Sequence, residues 1–297
     1  MRIAVTGGTG FVGRHLIERF VASGHQAACV ARRPHPPVHG VPVTVADVAD
    51  VDKLREACER CDAIVHLAGI NRARGAQTFE RVHVEGTRNV VAAAHAVGAR
   101  KVLTLSFLKA RPDCGSRYHE TKWESEQIIA QSGLDYVVLK AGVVFGPGDG
   151  MVTNIWRAIR IMPVFGAVGF RPTMISPVWV RDVAELLSAG ATSSTLTRRT
   201  VSVVGPEAMS LADAVRRVAR AMHRPVLVLP LPLWVHHAFG WIAERVMSRP
   251  LASVAQVRML AEGVADPMPG AELPPAGLRP TTRFDGASIA ASLPGRR

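Results

Sequence analysis

Apolar residues alternate between short runs and helical stripes through the first half of the chain. Arg2–Thr6 is a short apolar strand, after which Phe11, Val12, Leu16, Ile17, Phe20 and Val21 recur at helical spacing until Gly24. Residues 27–31 and 41–46 read as strands on either side of the turn Pro34-His-Pro-Pro37. A helix over 51–60 leads into a strand at 63–67, and a long helix over 77–97 precedes a strand at 101–105. The pattern predicts a helix over 117–131, a strand over 136–140 and a glycine-rich loop over 142–150. Beyond about residue 150 the alternation loosens and proline becomes frequent, with a strand at 201–204 and a helix at 211–222 still legible. Such βα alternation predicts an α/β protein, a doubly wound parallel-sheet Rossmann fold with a small C-terminal substrate lobe. The expected boundaries are 1–165 for the nucleotide-binding domain, with 174–205 returning to it, and 206–297 for the lobe.

Composition narrows this little. A chain of 297 residues that is 48% hydrophobic can bury a large core. The net charge of +12 is mostly arginine scattered along the chain, which reads as solvated surface. No nucleic-acid-binding module is recognisable, so a small-molecule substrate is expected and nucleic acid is not. The N-terminus runs straight into the first strand without a signal-peptide pattern, and the expected location is the cytoplasm. The apolar stretch 226–247 is broken by Pro230, Pro232, His236, His237, Glu244 and Arg245, well short of the ~18 apolar residues that span a bilayer. Peripheral membrane contact through that stretch is not favoured, since Trp234, Phe239 and Trp241 suit packing of the lobe. Among the four cysteines, Cys58-Glu-Arg-Cys61 has redox or half-zinc spacing, but no companion ligands complete a metal site, and His236-His237 has none either. No metal is expected, and the assembly is read as a monomer or homodimer.

The first chemical signal is Gly7-Gly-Thr-Gly10-Phe-Val-Gly13, set between a strand and a helix. Glycines there permit a tight turn and close approach of the backbone to a pyrophosphate, and the helix behind offers unpaired N–H groups to the anion. Gly7, Thr9, Gly10, Phe11, Val12 and Gly13 are therefore expected to hold the phosphates of a dinucleotide. An NAD-preferring unit carries a carboxylate about 20 residues further on, for the ribose 2′-hydroxyl. This chain has Ala31 there, followed by Arg32 and Arg33, which suits the 2′-phosphate of NADP(H).

The second signal is Tyr118-His-Glu-Thr-Lys122, which places a phenol and an ammonium at i and i+4 of a helix. A nearby cation lowers a phenol's pKa and makes it a usable acid/base. The chain's only other tyrosine repeats the spacing in Tyr136-Val-Val-Leu-Lys140. That run is apolar and β-branched, and in a strand residues at i and i+4 lie ~13 Å apart, so context selects Tyr118.

Together these features resemble the short-chain dehydrogenase/reductases, in their extended, NAD-dependent epimerase/dehydratase-like and atypical branches. The matching stretches are 6–13, Asp47-Val48, His66-Leu67-Ala68-Gly69, Glu85-Gly-Thr-Arg-Asn-Val90, 118–122, Val144-Phe-Gly-Pro-Gly-Asp149 and 177–184. The chain looks most similar to the group related to the NADPH-bearing accessory subunit of respiratory complex I. The cues are Gly146-Pro-Gly-Asp149, 177–184 and Leu229-Pro-Leu-Pro-Leu-Trp234. The resemblance implies that Asp47 and Val48 contact adenine, that Leu67, Ala68 and Gly69 line the cofactor, and that Tyr118 is the general acid/base with Lys122 as its partner. Two positions depart from the family pattern. The serine after the fifth strand is Ser106, followed by Phe107 and Leu108 with no further hydroxyl, and His83 stands where an asparagine usually serves a proton relay. Ser106 either supports Tyr118 or merely lines the nicotinamide pocket. Three functions stay open: an NADP(H)-dependent oxidoreductase acting on a small carbonyl or alcohol, apolar or quinone-like; a non-catalytic NADPH-binding structural or sensor protein; and a nucleotide-sugar epimerase or dehydratase.

Overall fold

The computed structural model describes residues 1–168, 172–232 and 262–295. Its contacts divide the chain into two compact units, the first made of Met1–Ala141, Arg181–Ser202 and Pro269–Arg279.

The first unit is built on a seven-stranded sheet. Its strands are β1 (Arg2–Thr6), β2 (Gln26–Ala31), β3 (Val43–Val45), β4 (Ala63–His66), β5 (Lys101–Phe107), β6 (Asp135–Ala141) and a later arrival at Arg199–Val203. The spatial order is β3-β2-β1-β4-β5-β6 followed by that last strand, and the pairings from β3 through β6 are parallel. The order reverses beside β1, the place where a doubly wound sheet opens a crevice at its carboxyl ends. Both sheet faces are covered, which is why β1 and β4 are apolar without alternation. Ala4, Val30, Ile64, Val102 and Val138 form one core with α2 (Val51–Ala57), α3 (Gly86–Val97) and α4 (Arg117–Ala130). Ile3 and Val5, on the opposite face, are buried with Leu16, Ile17 and Phe20 of α1 (Phe11–Ala22). Glu185 on a later helix of this face is ion-paired with Arg19 of α1.

The long helix expected over 77–97 is two structures. Glu80–Glu85 is a π-helical turn, and α3 follows without a break. The strand at 136–140 is β6, with Lys140 buried in it, so Tyr136 and Lys140 form no helical pair.

The second unit comprises Gly142–Val180, Val203–Met268 and Pro280–Arg297. Its described residues hold three two-stranded pairings. The strands are β7 (Val144–Phe145), β8 (Val164–Val168), β9 (Met174–Ile175), β10 (Val178–Trp179), β12 (Met209–Ser210) and β13 (Leu227–Leu231), with β11 being the strand at Arg199–Val203. Its described helices include α5 (Met151–Ile161), α7 (Leu211–Ala221) and α8 (Gly286–Ser292), while α6 (Val180–Thr192) lies almost wholly in the first unit. Phe145 is the centre of its core, with ring centroids 5.1 Å from Trp179 and 4.8 Å from Phe284. Asp149 closes the Gly146–Asp149 loop by accepting from the N–H groups of Gly146 at 3.0 Å and Val152 at 2.7 Å.

This division differs from the expected boundaries. The chain leaves the first unit at residue 141 rather than near 165, returns over 181–202, and returns again over 269–279. The last return rests on Glu272, whose carbonyl accepts from Ser202 N–H at 2.8 Å, a pairing with no local signature. Cys58 and Cys61 are free and buried in the core. Trp234, Phe239, Trp241 and His236-His237 lie outside the described residues.

Candidate functional site

A cleft of about 220 Å³ opens at the carboxyl ends of β1, β2, β3 and β4. Thr6, Gly7, Thr9 and Gly10 line it from the first strand and turn. Gly7 has φ +72°, and a Cβ there would stand 2.7 Å from Ala68 N. No other residue type combines that left-handed backbone with so close an approach. Gly13 packs the first turn of α1 against Gly7 and Gly8. The N-terminus of α1 has no acidic residue in its first turn and no side-chain cap, so its leading N–H groups stand ready for an anion.

Ala31 and Arg32 line the cleft at the end of β2. Arg32 is exposed and makes no ion pair among the described residues. Arg33 is exposed and does not line the cleft. Ala46, Asp47 and Val48 form the next wall, with Asp47 accepting from Ala49 N–H at 3.0 Å. The Glu85–Val90 segment explains itself here. Asn89 Nδ2 donates to the Val48 carbonyl at 2.9 Å, and a Cβ on Gly86 would come within 2.8 Å of Val48 Cγ2. Leu67, Ala68, Gly69 and Ile70 supply the wall after β4.

The catalytic candidates meet this cleft at Gly69. A Cβ on Gly69 would lie 3.4 Å from Lys122 Nζ and 3.6 Å from His83 Nε2. Lys122 Nζ donates to the Leu105 carbonyl at 3.2 Å. Tyr118 is 6% exposed, boxed by the rings of Phe79 at 5.8 Å, His83 at 5.8 Å, Phe107 at 5.9 Å and His119 at 5.7 Å. Burial pushes the phenol above its ordinary range, and Lys122 does not reverse that. The expectation that Lys122 lowers Tyr118 is thus corrected: the shift of the phenol is upward, and burial is its cause. The Lys122 amine is pulled down to about 8 by the same burial, against the attraction of Glu126.

His83 is held on both sides. Its Nε2 accepts from Ile70 N–H at 3.1 Å, so Nδ1 carries the proton and donates to Thr121 Oγ1 at 3.0 Å. Burial holds the ring neutral, with its pKa down at about 2.

Ser106 is placed elsewhere than the sequence reading had it. Ser106 and Lys140 are register partners on β5 and β6, and both bond Glu126 of α4. Lys140 Nζ reaches the two Glu126 oxygens at 2.8 and 2.7 Å and the Ala110 carbonyl at 2.9 Å. The serine hydroxyl is thereby committed to a buried carboxylate, and it does not line the cleft. Phe11, Val12, Gly13, Tyr118 and Lys122 do not line it either, the first three because they form the turn of α1 behind the glycines.

Sequence reasoning missed Thr6, Val30, Ala46, Ile70, Gln77 and Val82 as lining residues. Four of these stand one or two positions from a residue it did name and could have been reached by adjacency. Val82 is likewise adjacent to His83, whereas Gln77 stands seven residues beyond Ile70 with no named neighbour beside it. No group of His, Cys, Asp or Glu that could hold a metal occurs among the described residues, and none of their helices is long and apolar enough to cross a membrane.

Comparison with known proteins agrees with this geometry. Residues 7–152 match a family described as NAD(P)H-binding. A ceramide reductase of Caulobacter vibrioides is 27% identical over 236 residues, covering 77% of this chain and 73% of that protein. The mouse mitochondrial NADH dehydrogenase [ubiquinone] 1 alpha subcomplex subunit 9 is 23% identical over 251 residues, covering 81% of this chain and 65% of that one. Among solved structures, the NADPH-dependent quinone oxidoreductase QOR2 of Escherichia coli, complexed with NADPH, superimposes with a TM-score of 0.69 at 18% identity. That match covers 97% of this chain and 98% of that one. Residues 7–152 are therefore an NAD(P)H-binding domain, and the chain has homologues among epimerase-family and complex I accessory proteins.

Proposed function

We propose that the protein is an NADP(H)-dependent oxidoreductase that reduces a small carbonyl substrate, apolar or quinone-like, with Tyr118 as the proton donor. The observation that carries this reading is the approach of Lys122 Nζ to Gly69, which brings the Tyr118–Lys122 helix to the end of the nucleotide cleft. Bound NADPH would supply the hydride. Gly7, Thr9, Gly10 and the first turn of α1 would hold its phosphates, Asp47 and Val48 its adenine, and Arg32 its 2′-phosphate.

The protein's own groups then divide the work. A phenol pushed up by burial stays protonated across the neutral range, which suits donation to a developing alkoxide. The amine of Lys122, anchored on the Leu105 carbonyl, orients what occupies the end of the cleft beside Gly69. Phe79 and Phe107 exclude water from the phenol. Ser106 has no part in the proton transfer, because its hydroxyl is a donor to Glu126.

Ala31 and Arg32 at the end of β2, where a carboxylate would repel a 2′-phosphate, support NADP(H) rather than NAD(H). A ceramide reductase and an NADPH-dependent quinone oxidoreductase among the similar proteins support an apolar carbonyl substrate. The second reading, in which NADPH is held without turnover, is favoured by the enclosure of Tyr118 in four rings.

The deciding experiment is single-turnover loss of NADPH absorbance against a panel of carbonyls and quinones, comparing the wild type with Tyr118→Phe. Turnover that falls about 100-fold or more in the variant supports the reading, by the usual size of a general-acid contribution. Equal turnover in the two proteins overturns Tyr118 as the proton donor, and no NADPH loss in either overturns the oxidoreductase reading in favour of the holding role.

A further inference from the structure

His83 occupies a position that four segments share. Its ring accepts from Ile70 N–H at 3.1 Å and donates to Thr121 Oγ1 at 3.0 Å, and Thr121 Oγ1 in turn donates to the Arg117 carbonyl at 2.6 Å. The polarity is set from end to end, from the wall of the cleft through the imidazole to the first turn of α4. The backbone carbonyl of His83 accepts from Ser125 Oγ at 2.7 Å and from Thr87 Oγ1.

We propose that His83 is a positioning residue: a neutral imidazole that registers the Gly69–Ile70 wall of the cleft against the helix carrying Tyr118 and Lys122. The inference deepens the oxidoreductase reading and rests on it for its catalytic consequence. A proton relay would need the ring to take up a proton at Nε2, and that lone pair is already engaged by a backbone N–H. What the ring does supply is distance. Gly69 faces both His83 Nε2 and Lys122 Nζ, so a shift of the wall relative to α4 moves the reacting groups apart.

Glutamine separates positioning from relay. Its amide oxygen can accept from Ile70 and its amide nitrogen can donate to Thr121, but it carries no proton between them. The test compares wild type, His83→Gln, His83→Ala and Tyr118→Phe. It measures kcat and KM with NADPH and a small quinone, the NADPH Kd by fluorescence, and hydrogen exchange at the Ile70 amide of the full chain.

The expected result is a protected Ile70 amide in wild type and His83→Gln, and an unprotected one in His83→Ala. kcat is expected to fall about tenfold or more in His83→Ala, the effect of one misaligned hydrogen-bonded contact, and to return within about threefold of wild type in His83→Gln. The NADPH Kd is expected to change less than kcat. Rapid exchange at Ile70 in the wild type overturns the bracket outright and needs no turnover to be seen. A His83→Gln protein as slow as His83→Ala, with Ile70 protected, overturns positioning in favour of a relay. Wild-type rates in His83→Ala overturn the inference alone. Wild-type rates in Tyr118→Phe overturn Tyr118 as the proton donor instead, and absence of turnover in the wild type overturns the oxidoreductase reading, so the failures are distinguishable.

Discussion

Gly86 and Val48 are in contact so close that the helix position admits no side chain: a Cβ on Gly86 would stand 2.8 Å from Val48 Cγ2 and 3.2 Å from its Cβ. The contact sets the wall of the nucleotide cleft directly, since Val48 lines that cleft and its carbonyl is held by Asn89. Gly86→Ala is expected to destabilise the fold by about 1–3 kcal/mol, the usual range for overpacking, although alanine is the better helix former. Urea unfolding and the NADPH Kd check it together. An alanine protein of unchanged stability and affinity would remove Val48 from the account of the cleft.

Arg32 is the cationic side chain of β2's end that lines the cleft, and it is free of ion partners among the described residues. Arg32→Ala is expected to weaken NADPH binding by about 10-fold or more while leaving NADH nearly unchanged, since a charge-assisted bond to the 2′-phosphate contributes about 1.5–3 kcal/mol. Titration of both nucleotides against both proteins reads this directly. A parallel loss for the two would assign Arg32 to the shared part of the cofactor.

Lys122 provides a pH marker for the reductive rate. Burial brings its amine down to about 8, whereas the Tyr118 phenol is moved up and stays protonated throughout the same window. The rate is therefore expected to fall as pH rises through about 8, through loss of the lysine charge rather than loss of the phenol's proton. Lys122→Arg, which stays charged, should abolish that limb even if its overall rate is lower. A limb that survives in the arginine protein would have another origin.

His66 and His83 are buried neutral, with pKa values down at about 3 and about 2. Depressed values mean that each contributes stability in full above the unfolded pKa of ~6.5, and loses it as pH falls towards the folded value. Each should steepen acid destabilisation by up to about 1.4 kcal/mol per pH unit below ~6.5. Asp149, raised to about 6, acts in the opposite direction between about pH 4 and 6, so the clean comparison is wild type against His83→Gln. Chemical denaturation at stepped pH should show a flatter acid dependence in the variant.

Glu126 and Lys140 form a buried pair, each 7% exposed, with Ser106 as a third member. Lys140→Met leaves the carboxylate uncompensated and should destabilise the protein by about 3–5 kcal/mol. Adding Glu126→Leu should recover much of that loss. Thermal melts of the three proteins test it, and a single variant as stable as the wild type would show the pair to be dispensable.

Tyr118 and Lys122 were selected over Tyr136 and Lys140 because helix and strand periods differ, and the structure places the second pair on β6 as that argument requires. Asp47, Val48 and the glycines were equally legible, since each stands at a strand end or in a turn whose chemistry is local. The pKa of Tyr118 was not, because its direction depends on burial among four rings, three of which (Phe79, His83 and Phe107) come from outside its own helix. Ser106 looked available in the sequence, while its actual partner, Glu126, is 20 residues away. The unit boundary near 141 and the return at 269–279 lay beyond reach for the same reason, as they rest on pairings such as Ser202 with Glu272.

The sequence by itself determined the Rossmann order, the glycine turn after β1 and which residues stand as catalytic candidates, because hydrophobic period, glycine spacing and i,i+4 neighbours act within one or two turns of chain. Only the tertiary structure decided what those groups can do. It seated Val48 on Gly86, drew Ser106 into a buried triad, and gave His83 a fixed tautomer between Ile70 and Thr121. Burial, hydrogen-bond polarity and close approach belong to pairs of residues remote in sequence, and they exist only once the chain has brought them together.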